Sequence, residues 1–287
     1  MDRRLIGALL VVAVVAVAVV VPARDGLRIA GRATAIELPA DPAVGDCLLA
    51  TASFGPCAGQ PAIGEVVSIV TATQDPYDRL VRAESSGTDC RAAALTYAGL
   101  TAADGRYVPR QHQQPDPVNW KFSINVRTTW ILPTALQRAA GRSWAACVVE
   151  PAEGNRYVGG LADAYSGGRL PDAFGVCWSS REVGVAMHKV DCAEPHLAEL
   201  IAIGNVARDD VNPTQISGSC QSLTAEVMGR SDPTADGGLT VLIDPDAADS
   251  IRWTREAMGI VCYVVPNAHS LTGTLVGLRD RPVPYSG

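Results

Sequence analysis

Eight cysteines constrain the fold of this 287-residue chain most strongly, because they form two sets of four in matching sequence contexts. Gly-Asp-Cys at 45–47 corresponds to Gly-Val-Cys at 175–177, and Ser-Gly-Thr-Asp-Cys at 86–90 corresponds to Ser-Gly-Ser-Cys at 217–220. A match at a spacing of more than a hundred residues is too long for a solenoid repeat, so the sequence predicts two copies of one small domain. The two sets are Cys47, Cys57, Cys90 and Cys147, then Cys177, Cys192, Cys220 and Cys262.

Structural disulfides are the expected role of all eight cysteines. Four cysteines allow three pairings, and sequence alone does not choose among them. Short separations favour pairing the first cysteine of each set with the second, which leaves the third with the fourth. In the chain-entropy estimate the short loops stabilise the fold by roughly 3 kcal/mol each and the long ones by roughly 4 kcal/mol. The favoured pairs are Cys47–Cys57, Cys90–Cys147, Cys177–Cys192 and Cys220–Cys262.

The N-terminus predicts a membrane segment. Residues 5–21 are uncharged and almost wholly apolar, and they follow Arg3 and Arg4 at a length near the lower limit for a membrane-spanning helix. A signal anchor at 1–22 is favoured over a cleaved signal peptide, which would leave the protein secreted. Paired cysteines belong outside the reducing cytosol. We therefore expect a single-pass protein of the cell membrane with its body on the extracytoplasmic face.

The remainder of the chain divides into a tether, two domains and a tail. Residues 23–42 are rich in Ala, Pro and Arg and are predicted to form the tether. The first domain is predicted at 43–165 and the second, which follows a Gly-rich junction, at 170–279. A short polar tail follows at 280–287.

Each half has the same coarse pattern of short β-type runs around one principal helix. The helices are predicted over 88–100 and 213–228, and Asp89 is expected to cap the first of them. The longest β-type run of the first half is predicted at 123–132. The predicted fold class is therefore α+β: two tandem disulfide-stapled domains, each an antiparallel sheet covered by helices, after the N-terminal membrane helix.

Composition and motifs count against several functions. The formal net charge of −6 argues against a nucleic-acid partner, because nucleic-acid binding needs a basic face that displaces counterions from phosphate. The sequence has no Gly-x-Ser-x-Gly elbow, no His-Glu-x-x-His motif and no phosphate-binding loop. No catalytic residue, metal or cofactor is predicted on these grounds.

Candidate binding residues are concentrated in the second half. The motif Cys-x-Glu-Pro-His-x-x-Glu begins at Cys192 and contains Glu194, His196 and Glu199. Together with Trp253 these three residues form the predicted binding set. The alternative is a zinc site that also uses His188, since imidazole, thiolate and carboxylate are zinc ligands.

The first half weakens the zinc alternative. It keeps an acidic residue, Glu65, at the position that corresponds to Glu199, but it has Ala62 where His196 stands. A metal that the module required should occur in both copies. The cysteine of the motif also has a better use as a disulfide partner.

Several motifs of the second half follow one another in a fixed order. They are Phe-Gly-Val-Cys at 174–177, Val-Asp-Cys-Ala-Glu-Pro-His-Leu-Ala-Glu at 190–199, the helical Cys220, Trp253, and Met-Gly-Ile-Val-Cys at 258–262. In these residues the second half resembles the septum formation domain family of actinobacterial envelope proteins, and the first half resembles a diverged copy. The resemblance covers roughly 44–278. It implies a membrane-anchored or secreted protein that acts at the division septum with an envelope or divisome protein as partner, and it implies no catalytic activity.

The predicted function is that of a non-catalytic, membrane-anchored extracytoplasmic protein that binds or scaffolds partners in septum formation or cell-wall assembly. Two alternatives remain open. One is a metal-dependent envelope enzyme that uses His188, His196 and Glu199. The other is a carrier that holds a lipid or a small molecule in the cleft between the two domains.

Overall fold

A computed structural model describes residues 37–50, 52–71, 89–103, 106–109, 118–181, 188–207, 212–244 and 257–287. The predicted anchor and most of the tether lie outside the described residues, and so does Trp253. Within the described part of the chain, no helix is long and apolar enough to cross a bilayer. The observed fold class is α+β with two antiparallel main sheets, as predicted at that level.

The first half contributes eight strands and two helices among the described residues. In chain order they are β1 (Asp46–Leu49), β2 (Phe54–Pro56), β3 (Ala62–Thr71), α1 (Cys90–Tyr97), β4 (Leu100–Ala103), β5 (Arg106–Pro109), β6 (Asn119–Phe122), β7 (Val126–Ile131), α2 (Ala135–Ala139) and β8 (Trp144–Pro151). The β-type run predicted at 123–132 is shorter than expected, because residues 123–125 separate β7 from an additional strand, β6.

The second half contributes five strands and one long helix among the described residues. They are β9 (Cys177–Trp178), β10 (Lys189–Val190), β11 (Ala198–Ala207), α3 (Pro213–Met228), β12 (Leu239–Asp244) and β13 (Ala257–Pro266). Local chemistry sets the ends of α3. The Asn212 side chain accepts hydrogen bonds from the first-turn N–H groups, and Gly229 ends the helix in the left-handed conformation at φ 70°.

The two main sheets have corresponding strand orders. One runs β2-β1-β3-β8-β7 and the other runs β10-β9-β11-β13-β12. The register also corresponds, since Cys47 lies opposite Glu65 in the first sheet and Cys177 lies opposite Glu199 in the second. In both sheets a register shift follows directly after the residue next to this glutamate.

Four disulfides occupy corresponding places, and their pairing is the one that the sequence favours. The short disulfides, Cys47–Cys57 and Cys177–Cys192, each join the first strand of a sheet to the residues that follow its neighbouring strand. The long disulfides each join a helix to the centre of a sheet: α1 to β8 in the first half and α3 to β13 in the second.

Strand β6 joins the two halves. It belongs to the first half in sequence, yet it pairs with β11 of the second half, where Trp120 lies opposite Gly204. A Cβ atom at Gly204 would lie 2.5 Å from Val118 and 2.6 Å from the Trp120 ring, so a glycine is required for this close pairing. The Trp120 indole also donates a hydrogen bond of 2.7 Å to Ser219 on α3. One buried apolar cluster therefore extends through both halves.

Candidate functional site

The predicted binding motif forms the turn between β10 and β11. Cys192 is bonded to Cys177, so its sulfur is not a free thiolate. His196 is fully buried and pairs through its backbone with Leu271, at 2.9 Å and 2.8 Å. Its Nδ1 lies 2.9 Å from the carbonyl oxygen of Glu194, and this nitrogen must carry the proton because a carbonyl oxygen only accepts.

The other imidazole nitrogen of His196 is buried without a hydrogen-bond partner among the described residues. Burial is the main influence on the ring and lowers the pKa of His196 below its usual value. The imidazole is therefore neutral at physiological pH. Such a ring acts as part of the packing between the turn and the segment around Leu271.

Glu199 is also buried, and both of its oxygens are occupied. One oxygen contacts the Thr274 hydroxyl, and the other accepts a hydrogen bond of 2.8 Å from the Leu275 N–H. Burial raises the pKa of Glu199 to about 7, against the opposing effect of these two hydrogen bonds. The carboxyl group fastens β11 to the loop that follows β13.

The first half repeats this arrangement with Glu65. The Tyr97 hydroxyl donates a hydrogen bond of 2.5 Å to one oxygen of Glu65, and the Leu161 N–H donates one of 2.7 Å to the other. Burial raises the pKa of Glu65 as well. Because the carboxyl group occurs in both halves with a backbone partner at a corresponding position, a framework role explains it better than ligand binding does.

The structure does not bring together the four ligands of the zinc site that was the alternative prediction from the sequence. His196 lies within 4.8 Å of the sulfur atoms of Cys177 and Cys192, but these sulfurs are joined in a disulfide. Neither His188 nor Glu199 belongs to this group. His188 and Glu194 are both exposed, and Trp253 lies outside the described residues.

An open cleft of about 960 Å³ lies between loops of the two halves. One wall comes from the first half and contains Pro61 and residues 156–160. The other wall comes from the second half and contains Arg169, residues 171–173 and the start of the predicted binding motif. We name this space the interhalf cleft; its lining residues are Pro61, Arg156, Tyr157, Val158, Gly159, Gly160, Arg169, Pro171, Asp172, Ala173, Asp191 and Ala193.

Side chains of both signs line the interhalf cleft, and neighbouring groups hold its two aspartates in place. Asp191 accepts hydrogen bonds from the Asn155 side chain at 2.7 Å and from the Ala193 N–H at 2.9 Å. Asp172 accepts a hydrogen bond of 2.9 Å from the Thr274 N–H. Arg156 is exposed on the first wall. Of these charged residues only Asp191 falls within a motif that the sequence singles out, because isolated charges in glycine-rich loops carry no recognisable pattern.

Comparison with known proteins gives no match: no family model, no curated protein and no solved structure is similar to the chain. The resemblance of the second half to the septum formation domain family therefore stays a prediction from the sequence.

Proposed function

We propose that this is a non-catalytic, extracytoplasmic binding protein of the cell envelope whose partner binds in the interhalf cleft. The main support for this proposal is the cleft itself, whose walls are formed by loops of both halves. Loops on a rigid scaffold are the usual place for binding residues. Here the short disulfide Cys177–Cys192 and the buried Glu65 and Glu199 hold those loops to the sheets.

The lining of the cleft supports binding rather than catalysis. Among the described residues it contains no cysteine, histidine, serine, threonine or lysine, and the hydroxyl group of Tyr157 is buried without a hydrogen-bond partner. Arginine keeps its proton and is a poor general base. The two carboxylates, Asp172 and Asp191, are already engaged by backbone and side-chain donors.

The cellular setting rests on two further arguments. Four disulfides favour an oxidising compartment. The sequence resemblance to septum formation proteins supports a role in septation or wall assembly, and the apolar segment at 5–21 supports a membrane anchor. We also infer that the halves arose as tandem copies, because strand order, disulfides and the buried glutamate correspond.

In-cell photocrosslinking tests this proposal. Val158 lines the cleft and is 60% exposed, whereas Leu136 is 51% exposed on α2 and does not line the cleft. A functional tagged full-length chain with a photoreactive residue at position 158 should crosslink to one envelope partner, identified by mass spectrometry, and the same probe at position 136 should not. Equal crosslinking at both positions, or a cytosolic tagged protein with free thiols, would refute the proposal.

The volume of the cleft also favours the carrier alternative, because small-ligand sites typically occupy roughly 300–1,000 Å³. In that case native mass spectrometry of the purified protein should detect a bound lipid or small molecule. Replacing Val158 with Trp should release the ligand, and replacing Leu136 with Trp should not.

A further inference from the structure

Three arginines line a second concave surface that adjoins the interhalf cleft. This surface, the arginine groove, has a volume of about 520 Å³ and is lined by Gly167, Gly168, Arg169, Gly277, Arg279, Asp280 and Arg281. Arg169 lines the cleft as well. A smaller concavity of about 300 Å³ continues from Arg169 and Arg281 toward the C-terminal residues.

Positive charge in the groove exceeds negative charge. Its lining has three guanidinium groups and one carboxylate, that of Asp280. Arg169 makes a long contact of 3.4 Å with Asp172. Among the described residues, the Arg279 guanidinium group has no hydrogen-bond or ion-pair partner. All three arginines line the same groove. Burial and the charges of Arg169 and Arg279 lower the pKa of Arg281, and the charge of Asp172 opposes this effect. Asp172 and Asp280 offset this positive charge only in part, so a bound anion would reduce the remaining repulsion.

Backbone carbonyl groups hold the Arg281 side chain in place, and Arg279 has an unusual backbone conformation. The Arg281 guanidinium donates hydrogen bonds to the carbonyl oxygens of Leu278 at 3.1 Å and Gly277 at 2.5 Å. These bonds use Nε and Nη2, and Nη1 has no hydrogen-bond partner among the described residues. Arg279 has a left-handed backbone, with φ 53°, which is uncommon for a residue other than glycine.

Glycine at position 167 makes room for the Arg279 side chain. A Cβ atom at Gly167 would lie 2.7 Å from Nη2 of Arg279, so a larger residue would push the guanidinium away. The first half lacks this arrangement. There Tyr165 occupies the corresponding position, since its N–H bonds to the end of α1 as the Arg279 N–H bonds to the end of α3, and Tyr165 is buried.

We propose that the arginine groove binds a phosphate group, either of a lipid headgroup or of a soluble or polymeric phosphate. Guanidinium groups form paired hydrogen bonds with phosphate and keep their charge at all physiological pH values. Three of them suit a phosphate better than a single carboxylate, because phosphate offers more oxygens and more charge. The overall net charge of −6 makes a general attraction for anions a poor explanation. This inference goes beyond the proposed function, since it concerns a separate surface and a defined ligand chemistry.

Titration of the full-length protein in a non-ionic detergent tests the proposal. Inorganic phosphate, with ionic strength held constant by sodium chloride, should bind saturably and shift the NMR signals of the arginine side chains. Arg169→Gln and Arg279→Gln should each weaken binding roughly tenfold. Asp280→Asn should tighten it about threefold by removing a like charge.

Arg127→Gln is the matched control, because Arg127 is an exposed arginine of β7 that pairs with Glu150 and lines none of the three concavities. It changes the net charge equally and should leave phosphate binding unchanged. Equal binding by the Arg169→Gln/Arg279→Gln double variant and the wild type would overturn the proposal, as would a non-saturable titration. Folding of each variant is checked by the unchanged backbone NMR spectrum.

Mixed micelles separate the two sources of phosphate. A lipid headgroup is supported if phosphatidylglycerol in the micelle shifts the same signals, phosphatidylcholine does not, and Arg279→Gln abolishes the shift. A soluble or polymeric phosphate is supported if glycerol 3-phosphate acts and phosphatidylglycerol does not. Crosslinking from position 158 to a protein partner should persist in Arg279→Gln, so failure of either proposal is recognisable without the other.

Discussion

Ala62 in the first half and His196 in the second occupy corresponding positions, and each makes a backbone bridge to the loop after the last central strand, with Tyr157 and Leu271 respectively. The bridge therefore does not need an imidazole. The ring of His196 is an addition to a framework that the first half builds from an alanine. Residues that differ between the halves are therefore better candidates for a function specific to one half than residues that the halves share.

The buried carboxyl groups, in contrast, are a feature that the two halves share. Glu65 and Glu199 keep a backbone N–H partner in both halves, but the hydroxyl partner comes from the helix residue Tyr97 in one and from the loop residue Thr274 in the other. The carboxyl group is retained while one of its donors changes. The shared contacts favour a framework role for Glu199, and they make the loops and the arginine groove better candidates for ligand binding.

The largest expected effect comes from removing the long disulfides. Because Cys220–Cys262 closes a separation of 42 residues and joins α3 to the sheet, replacing both cysteines with Ala should cost about 4 kcal/mol of unfolding free energy. Replacing Cys47 and Cys57, 10 residues apart, should cost about 3 kcal/mol at most. Urea unfolding followed by circular dichroism measures both.

The order of the two losses is the test. If the Cys47/Cys57 variant loses as much stability as the Cys220/Cys262 variant, loop length does not govern the contribution of these disulfides. The Cys90/Cys147 pair, with a separation of 57 residues, is the matched control from the first half and should resemble Cys220/Cys262.

Glu199→Gln should change how stability depends on pH. Burial raises the pKa of Glu199 from 4.5 to about 7, so the folded state binds the proton more tightly than the unfolded state does. The stability that this carboxyl group contributes is therefore full below pH 4.5 and is lost as the pH rises through 7. The total is about 3 kcal/mol, and glutamine, which stays neutral, avoids the loss.

We accordingly expect Glu199→Gln to be more stable than the wild type at pH 8, with little difference at pH 4.5, by urea unfolding at each pH. Glu65→Gln provides the equivalent measurement in the first half and should change stability in the same direction. A Glu199→Gln protein that is less stable than the wild type at pH 8 would mean that the carboxylate is ionised and well satisfied in the fold.

Variants of His196 sharpen the comparison with Ala62. His196→Ala should cost about 2 kcal/mol, because it leaves a cavity and removes the donor to the Glu194 carbonyl group. His196→Asn should cost less, since its side-chain amide replaces the Nδ1 donor. Thermal unfolding of both variants measures the difference.

The pH dependence of these variants is also specific. Burial lowers the pKa of His196, so the contribution of the neutral ring to stability is present above pH 6.5 and is lost as the pH falls below it. This slope is opposite to that of Glu199, and His196→Asn should abolish it. An unchanged slope between pH 6.5 and 5 in this variant would show that the ring titrates normally.

The smallest expected effects concern the helix caps. Asn212→Ala should cost about 1 kcal/mol, because Asn212 accepts hydrogen bonds from two N–H groups at the start of α3. Asp89→Ala should cost less than about 1 kcal/mol, since it accepts one such bond and the adjacent Cys90 is already fixed by its disulfide. Chemical denaturation of both variants, with glycine variants as milder controls, tests this order.

Local chemistry accounts for what the sequence predicted well. The cap at Asp89, the end of α3 before Gly229 and the cysteine pairing each depend on residues whose preferences are strong. The pairing of β6 with β11 could not be foreseen, because it joins residues about eighty positions apart and depends on Gly204 being opposite Trp120. The interhalf cleft and the arginine groove are products of tertiary packing, and apart from Asp191 and Ala193 their residues lie outside the motif at 190–199.

The pairing of β6 with β11 also affects the order in which the chain can fold during synthesis. A chain that emerges N-terminus first presents β6 before its partner on β11 exists, so the first half cannot reach its final packing until residues 202–205 follow. Until then a strand that carries Trp120 is exposed and is prone to pair with other chains. Synthesis of β11 is thus a condition for completing the packing of the first half.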